Sequence, residues 1–170
     1  MQGQRRQAPA MNGISLRDFG AKDARWLAEQ HGLLYARDEG FDASFQVLVS
    51  EIIADFLTSH DAGSERGWIA ERAGKRLGSI FCVRLDENTA KLRLFLLLPE
   101  ARGLGLGRLL LGTCMEFARA RGYRAMKLWT HESHKAACAL YARAGWRCVS
   151  SKPVRSFGVD LVEQSWEIAL

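Results

Sequence analysis

Between Arg102 and Arg108 the chain reads Arg-Gly-Leu-Gly-Leu-Gly-Arg, with glycines at 103, 105 and 107. Three missing side chains ahead of a helical pattern let backbone N–H groups approach a ligand closely. The unpaired N–H groups of a first helical turn, together with the positive end of the helix dipole, favour an anion, most naturally phosphate or pyrophosphate. Arg102 and Arg108 add charge at the same place. Two better-known phosphate loops do not fit. A Gly-x-Gly-x-x-Gly pattern begun at Gly103 needs its last glycine where Arg108 stands, and begun at Gly105 it needs one at Leu110. The Gly-Lys-Ser/Thr tripeptide of the Walker loop is absent from the sequence. A glycine-rich strand-to-helix turn that holds nothing uses the same residue types, so the rest of the chain must decide.

A second constellation is His134-x-x-Ala137-x-x-Leu140-Tyr141-x-x-x-Gly145-Trp146. A phenol with a reference pKa of about 10 donates a proton at neutral pH, which makes Tyr141 a candidate acid, with helix packing as the alternative. Candidate bases are Glu71, Asp38, Glu39, His131 and Glu132; as solvated surface charges each would need no chemistry at all. Tyr35, Phe41 and Phe157 could line an apolar slot, or simply pack. The four histidines (31, 60, 131 and 134) show no metal-ligand spacing with the four cysteines, so no metal is expected.

These groups require elements to hold them. The apolar run Leu92 to Leu98, interrupted by Arg93 and stopped by Pro99, predicts a strand entering the glycine turn. Leu106, Leu109, Leu110, Cys114, Phe117 and Ala118 recur at spacings of three and four, predicting a long helix that ends near Gly122. Upstream, a short strand over Ile14–Phe19 precedes helical material from Ala21 to Tyr35, with Gly32 expected to break or kink it. A polar loop is expected over Tyr35–Phe41, then an amphipathic helix from Ala43 to His60 capped by Asp42. Strands at Gly67–Arg72, Leu77–Leu85 and Ala90–Leu98 follow, joined by hairpin-type turns. Beyond the central helix come a strand at Ala125–Thr130, a helix at Ser133–Ala144, and strands at Trp146–Val154 and Val162–Leu170. The order β-α-α-β-β-β-α-β-α-β-β predicts a mixed α/β sheet.

The 170 residues suffice for one domain with a real core. No apolar run approaches the roughly 18–20 residues of a membrane span, so no membrane partner is expected. The first 13 residues, MQGQRRQAPAMNG, read as a disordered lead rather than a secretory signal, with residues 14–170 as a single domain. Cys82, Cys114, Cys138 and Cys148 each lie within apolar patterns without a Cys-x-x-Cys pair, which predicts buried reduced thiols in a cytoplasmic protein. A net charge of +5 suits an anionic partner, but the basic residues are scattered, so no nucleic-acid binding by this domain is expected.

Arg102-Gly103-Leu104-Gly105-Leu106-Gly107 resembles the acyl-CoA loop, Arg/Gln-x-x-Gly-x-Gly/Ala, of the GNAT family of N-acetyltransferases. The second constellation is similar to that family's Asn-x-x-Ala-x-x-Leu-Tyr-x-x-x-Gly-Phe segment, with His134 in place of Asn and Trp146 in place of Phe. The element order also resembles the GNAT fold, a mixed sheet of about seven strands flanked by about four helices. Ser156 to Glu167 resembles the acetyltransferase half of two-domain bacterial proteins in which a MarR-type winged-helix regulator precedes the GNAT domain. The resemblance implies an acetyl-CoA-dependent transfer to a primary amine by direct attack in a ternary complex. Cofactor contacts would come from Leu96, Leu97, Leu98, Arg102, Gly103, Leu104, Gly105, Leu106, Gly107, Arg108, His134, Ala137 and Tyr141. Tyr141 would assist the leaving thiolate, and a backbone N–H of Leu97 or Leu98 would steady the oxyanion. Relatives often place a Glu on the strand before the glycine loop. No carboxylate lies there in this chain; Glu71 is named as base, with Asp38, Glu39, His131 and Glu132, a base acting through water, or none for an amine of low pKa, left open beside it. Tyr35, Asp38, Glu39, Trp129, Thr130 and Phe157 would select the acceptor, expected to be a small-molecule amine served by a monomer or homodimer. A protein or peptide acceptor, or a non-catalytic acyl-CoA sensor, are the alternative readings.

Overall fold

Seven segments of alternating polarity and four of helical period settle into one sheet with helices on both faces. The computed structural model describes residues 13–170; the expected disordered lead lies, but for Gly13, outside the described residues. The strands are β1 (Ile14–Asp18), β2 (Arg66–Arg72), β3 (Lys75–Arg84), β4 (Thr89–Leu97), β5 (Ala125–His131), β6 (Arg147–Ser156) and β7 (Val159–Ala169). The helices are α1 (Ala24–Glu39), α2 (Ala43–Ser59), α3 (Leu106–Ala120) and α4 (Lys135–Arg143). The strands lie in the order β1-β2-β3-β4-β5-β7-β6. The β4–β5 pair is parallel and the other pairs are antiparallel. A parallel pair needs a crossover, and α3 provides it. The expected α/β architecture is therefore the observed one.

The two faces have separate cores. Leu106, Leu110, Leu111, Cys114 and Ala118 of α3 pack with Ala90, Leu92, Met126 and Leu128 of the central strands. On the other face, Leu27 of α1 and Val49, Ile53 and Phe56 of α2 pack with Phe81, Leu96 and Leu98. Ala90 and Leu92 thus face α3, whereas Leu96 and Leu98 face α1 and α2. The change in sense comes from one extra residue in β4: Ser79 pairs with Leu96, but Phe81 pairs with Arg93. Leu94 sits in this bulge at φ 47°, and its carbonyl accepts a 2.6 Å hydrogen bond from Ser79 Oγ. Alternation sets Lys91 and Arg93 opposite Ala90 and Leu92, and the bulge brings Leu94 and Leu96 onto that same α1/α2 face.

Pairing between β4 and β5 stops after Lys91↔Lys127, so the two central strands diverge toward their C-terminal ends. The glycine turn and the start of α4 lie at the mouth of that gap. At the sheet's far side, Phe157 (φ 55°) and Gly158 (φ 78°) form the tight turn of the β6–β7 hairpin. Asp42 N–H donates to Phe157 O at 2.9 Å, anchoring the hairpin tip to the head of α2.

Three sequence expectations need correction. The first helix is not broken at Gly32 and does not end at Tyr35; a short 3₁₀ turn over Ala21–Asp23 leads into a continuous α1 ending at Glu39. A Cβ at Gly32 would stand 3.0 Å from Gln46 Cβ, so this glycine admits the neighbouring helix α2 instead of interrupting α1. Consequently Tyr35, Asp38 and Glu39 occupy the last turns of a helix, not a loop, which Gly40 closes in the left-handed conformation. Among the thiols, Cys82 and Cys114 are buried, but Cys138 is half-buried and Cys148 is exposed; all four are free. Cys148 lies on β6, an outer strand of the sheet with most of its residues exposed, which explains the difference.

Candidate active site

The chain leaves β4 through a 3₁₀ turn over Pro99–Ala101 and enters α3 by way of Gly103 (φ 78°) and Gly105 (φ 76°). Left-handed backbone at both positions is what the glycines supply. Arg102 N–H donates to Pro99 O, and the next backbone donation in this loop is Leu109 N–H to Gly105 O. The intervening N–H groups, from Gly103 to Arg108, find no acceptor among the described residues. They form a concave run of donors at the positive end of a 15-residue helix, a cradle suited to a diphosphate. Gly107 also serves packing: a Cβ there would lie 3.1 Å from Leu97 Cδ1 and 3.2 Å from Leu140 Cδ2.

Two cavities meet at the gap between β4 and β5. The first, about 490 Å³, runs beside Leu96, Leu97, Arg102 and Ala137. The second, about 320 Å³, lies against α2 and is bordered by Phe45, Trp129, Thr130, Phe157 and Tyr141. Tyr35, Phe95, His134 and Ala137 border both. Backbone groups are available along the gap. Leu98 N–H donates to Leu77 O at 2.9 Å, so the alternation of an antiparallel ladder turns Leu97 N–H away from β3 and toward β5.

His134 is held at both ring nitrogens. Nε2 lies 3.3 Å from Glu39 Oε1, and Nδ1 lies 3.2 Å from Thr130 Oγ1. With Glu39 ionised, Nε2 carries the hydrogen, leaving Nδ1 to accept from the threonine hydroxyl. Tyr35 stands edge-on to the imidazole at 4.9 Å between centroids, and His131 at 5.5 Å. Burial pulls the His134 pKa below its ordinary value, with Glu39 acting in the opposite direction. His131 is lowered by the same cause, opposed by Glu163 and Glu39, and its buried Nδ1 has no hydrogen-bond partner among the described residues. Burial keeps the Tyr141 phenol well above its ordinary value, against Phe95, Trp146 and Trp166.

Most residues singled out in the sequence converge here. Leu96, Leu97, Arg102, His134, Ala137, Tyr35, Asp38 and Glu39 border the first cavity, and Trp129, Thr130, Tyr141 and Phe157 the second. The N–H groups of Gly103, Leu104, Gly105, Leu106, Gly107 and Arg108 make the cradle, although the Leu106 side chain is core. Asp38 is engaged by Arg37 at 2.8 Å and faces Arg102 at 3.7 Å. Two assignments do not fit. Leu98 has spent its N–H on the β3 ladder and has none to offer an oxyanion. Glu71 borders neither cavity; it is bound to Arg17 at 3.0 Å, in a cluster where Arg17 and Arg76 also clasp the buried Asp23. The sequence reading missed Phe95, Lys91, Arg93 and Glu163 as cavity residues. The signal for Lys91 and Arg93 was present: two cations alternating with Ala90 and Leu92 in a strand with no other charge.

A mixed α/β sheet whose central parallel pair splays beside a glycine-rich helix start is the arrangement that the chain presents. The model of the acetyltransferase (GNAT) family matches residues 25–146, and the chain belongs to that family. It is 32% identical over 165 residues to a mycothiol acetyltransferase of Salinispora arenicola, covering 82% of this chain and 47% of the relative. It is 31% identical over 111 residues to human N-acetyltransferase 8B, covering 62% of this chain and 48% of the relative. The chain thus spans about half the length of these curated relatives. Among solved structures, an acetyltransferase from Salmonella typhimurium with its cofactor acetyl-CoA aligns with a TM-score of 0.76 at 18% identity, over 93% of this chain and 94% of that one. A ribosomal-protein-alanine N-acetyltransferase from Brucella melitensis aligns at 0.75 and 21% identity, over 91% and 99%.

Proposed function

We propose that this protein is an acetyl-CoA-dependent N-acetyltransferase acting on the primary amine of a small molecule. The observation that carries this reading is the meeting of two cavities at His134, one reaching Arg102 at the start of the glycine turn and the other bordered by aromatic and charged side chains. The residues fit acetyl-CoA: Gly103 to Arg108 present donors for a diphosphate, and the splayed edge of β4 offers backbone groups to an extended amide-bearing arm. When bound, acetyl-CoA supplies an activated acetyl group as a thioester.

Each task then falls to a residue of this chain. Arg102 and the cradle N–H groups hold the anionic end. Leu97 N–H, facing the gap, donates to the carbonyl oxygen where negative charge develops. His134 accepts on Nδ1, directly or through the Thr130 hydroxyl, the proton that the acceptor ammonium loses to become the attacking amine, while Glu39 fixes the tautomer and steadies the imidazolium. Tyr141, kept protonated by burial, donates to the departing sulfur. His134 thereby takes the part that Glu71 cannot reach.

Calorimetric titration with acetyl-CoA and CoA, followed by thiol release across a panel of amines, tests the reading. Binding with amine-dependent release is expected. Failure to bind either ligand would overturn it, and binding without release across a broad panel would favour a non-catalytic acyl-CoA sensor.

A further inference from the structure

The second cavity is lined by two cations. Lys91 and Arg93 both border it, two positions apart on the same face of β4. Both side chains are half-buried. Among the described residues neither joins an ion pair. Asp55 of α2 acts on Arg93 through space, from beyond ion-pair distance. Lys91 Nζ lies 4.7 Å from the Trp129 ring centroid, a cation–π contact that steadies the ammonium without supplying a counter-ion. Burial, and then the charge of Arg93, oppose the charged state of Lys91; burial opposes that of Arg93, with Asp55 acting the other way.

The cavity also holds an anion. Glu163 of β7 borders it, pairs in register with His131 of β5, and makes a long 3.8 Å ion pair with Lys152. The cavity is therefore polarised, with two cations on β4 that have no ion-pair partner among the described residues and a carboxylate beside the histidines across the gap. Two like charges drawn partly out of water on one strand are costly, and an incoming anion relieves both the repulsion and the lost hydration. Arginine offers a carboxylate a planar two-pronged donor, and the neighbouring lysine adds a point charge.

We propose that the acceptor is an amino acid-like zwitterion whose carboxylate is held by Lys91 and Arg93 and whose amino group is turned toward His134, with Glu163 and His131 at the ammonium end. This inference rests on the acetyltransferase reading of the same site and specifies its substrate class. A neutral or purely cationic amine would leave the two β4 charges unanswered.

The test uses the full chain saturated with CoA, which needs no turnover. Amino acids spanning the side-chain classes are titrated calorimetrically alongside their amides and the corresponding decarboxylated amines. At least one acid is expected to bind about 10-fold or more tightly than its amide and its decarboxylated amine. Lys91→Met and Arg93→Met should each shrink that ratio toward unity, and Arg93→Lys, which keeps the charge but loses the fork, should give an intermediate value. Because Arg93→Met removes a half-buried group, thermal melting accompanies it, and Lys91→Met with Arg93→Lys carries the comparison if it fails to fold. Equal affinity for acid and amide, tighter binding of the decarboxylated amine, or no binding of any acid overturns the inference while CoA binding leaves the acetyltransferase reading standing. Absence of CoA binding removes that reading, and this inference with it.

Discussion

His134 Nε2 lies 3.3 Å from Glu39 Oε1, joining the start of α4 to the last turn of α1 at the junction of the two cavities. Burial is the larger influence on His134 and lowers its pKa; Glu39 raises it. The neutral ring is the proton acceptor, so the acid limb of the rate should lie below the ordinary histidine value of 6.5. Glu39→Gln removes the raising influence and should move that limb to still lower pH. His134→Ala should abolish the limb and lower turnover by about 10²–10⁴-fold, the usual worth of a positioned acid or base. A pH–rate profile of the three proteins decides the matter. An unmoved limb in Glu39→Gln, or one moved upward, would remove His134 from the proton path.

Tyr141 is packed among Phe95, Trp146 and Trp166, and burial holds its phenol well above the ordinary range. It therefore stays protonated beyond the ordinary tyrosine range and should contribute no basic limb of its own. Tyr141→Phe keeps the ring and removes the hydroxyl. Turnover should fall by about 10²-fold or more, with calorimetric affinity for CoA within a few-fold of the parent. Parallel losses in both would make Tyr141 a packing residue.

Gly105 caps α3 at φ 76° and ψ 9°. Valine is β-branched and strongly disfavoured there, so it would displace the backbone that carries the donors. Gly105→Val should abolish measurable CoA binding while costing about 1–3 kcal/mol of stability. Calorimetry and denaturant unfolding of the same preparation separate the two effects. Unchanged affinity would show that the run from Gly103 to Arg108 is not a diphosphate site.

The strand, glycine turn and helix from Leu92 to Ala120 were legible because local rules govern them: apolar runs, a proline stop and glycines at left-handed positions. The cavities were not, because they depend on pairings that no local pattern encodes. The bulge at Leu94 adds one residue between Arg93 and Leu96, so strand alternation alone misassigns the side on which Lys91 and Arg93 stand relative to Leu96. Leu98 looked as good a donor as Leu97 until its register with Leu77 was known. Glu71 fell to the same difficulty, since its partner Arg17 lies 54 positions away in the chain. Gly32 misled because its neighbour, Gln46, belongs to a different helix. The His134 substitution, visible in the sequence as a departure from a motif, gains chemical meaning once α1 is seen to continue to Glu39.

His31 is a buried group whose titration bears on the fold rather than on transfer. Its Nδ1 pairs with Leu27 O at 2.8 Å, its ring stacks on Tyr35, and burial lowers its pKa from 6.5 to about 4. The folded state thus resists a proton that the unfolded chain accepts freely. Stability attributable to His31 is complete above pH 6.5 and declines as pH falls toward 4, where the folded protein also begins to bind the proton. At 1.36 kcal/mol per pH unit, that window amounts to about 3 kcal/mol. Carboxylates such as Asp23, whose pKa is lowered by its arginine partners, lose their contribution only at the acid end of the range. Comparison with His31→Leu isolates the histidine: the variant should show a flatter dependence of unfolding free energy between pH 6.5 and 4, whatever its constant offset at pH 8. Parallel curves for the two proteins would mean that the imidazole takes up its proton in the folded state as readily as in the unfolded one.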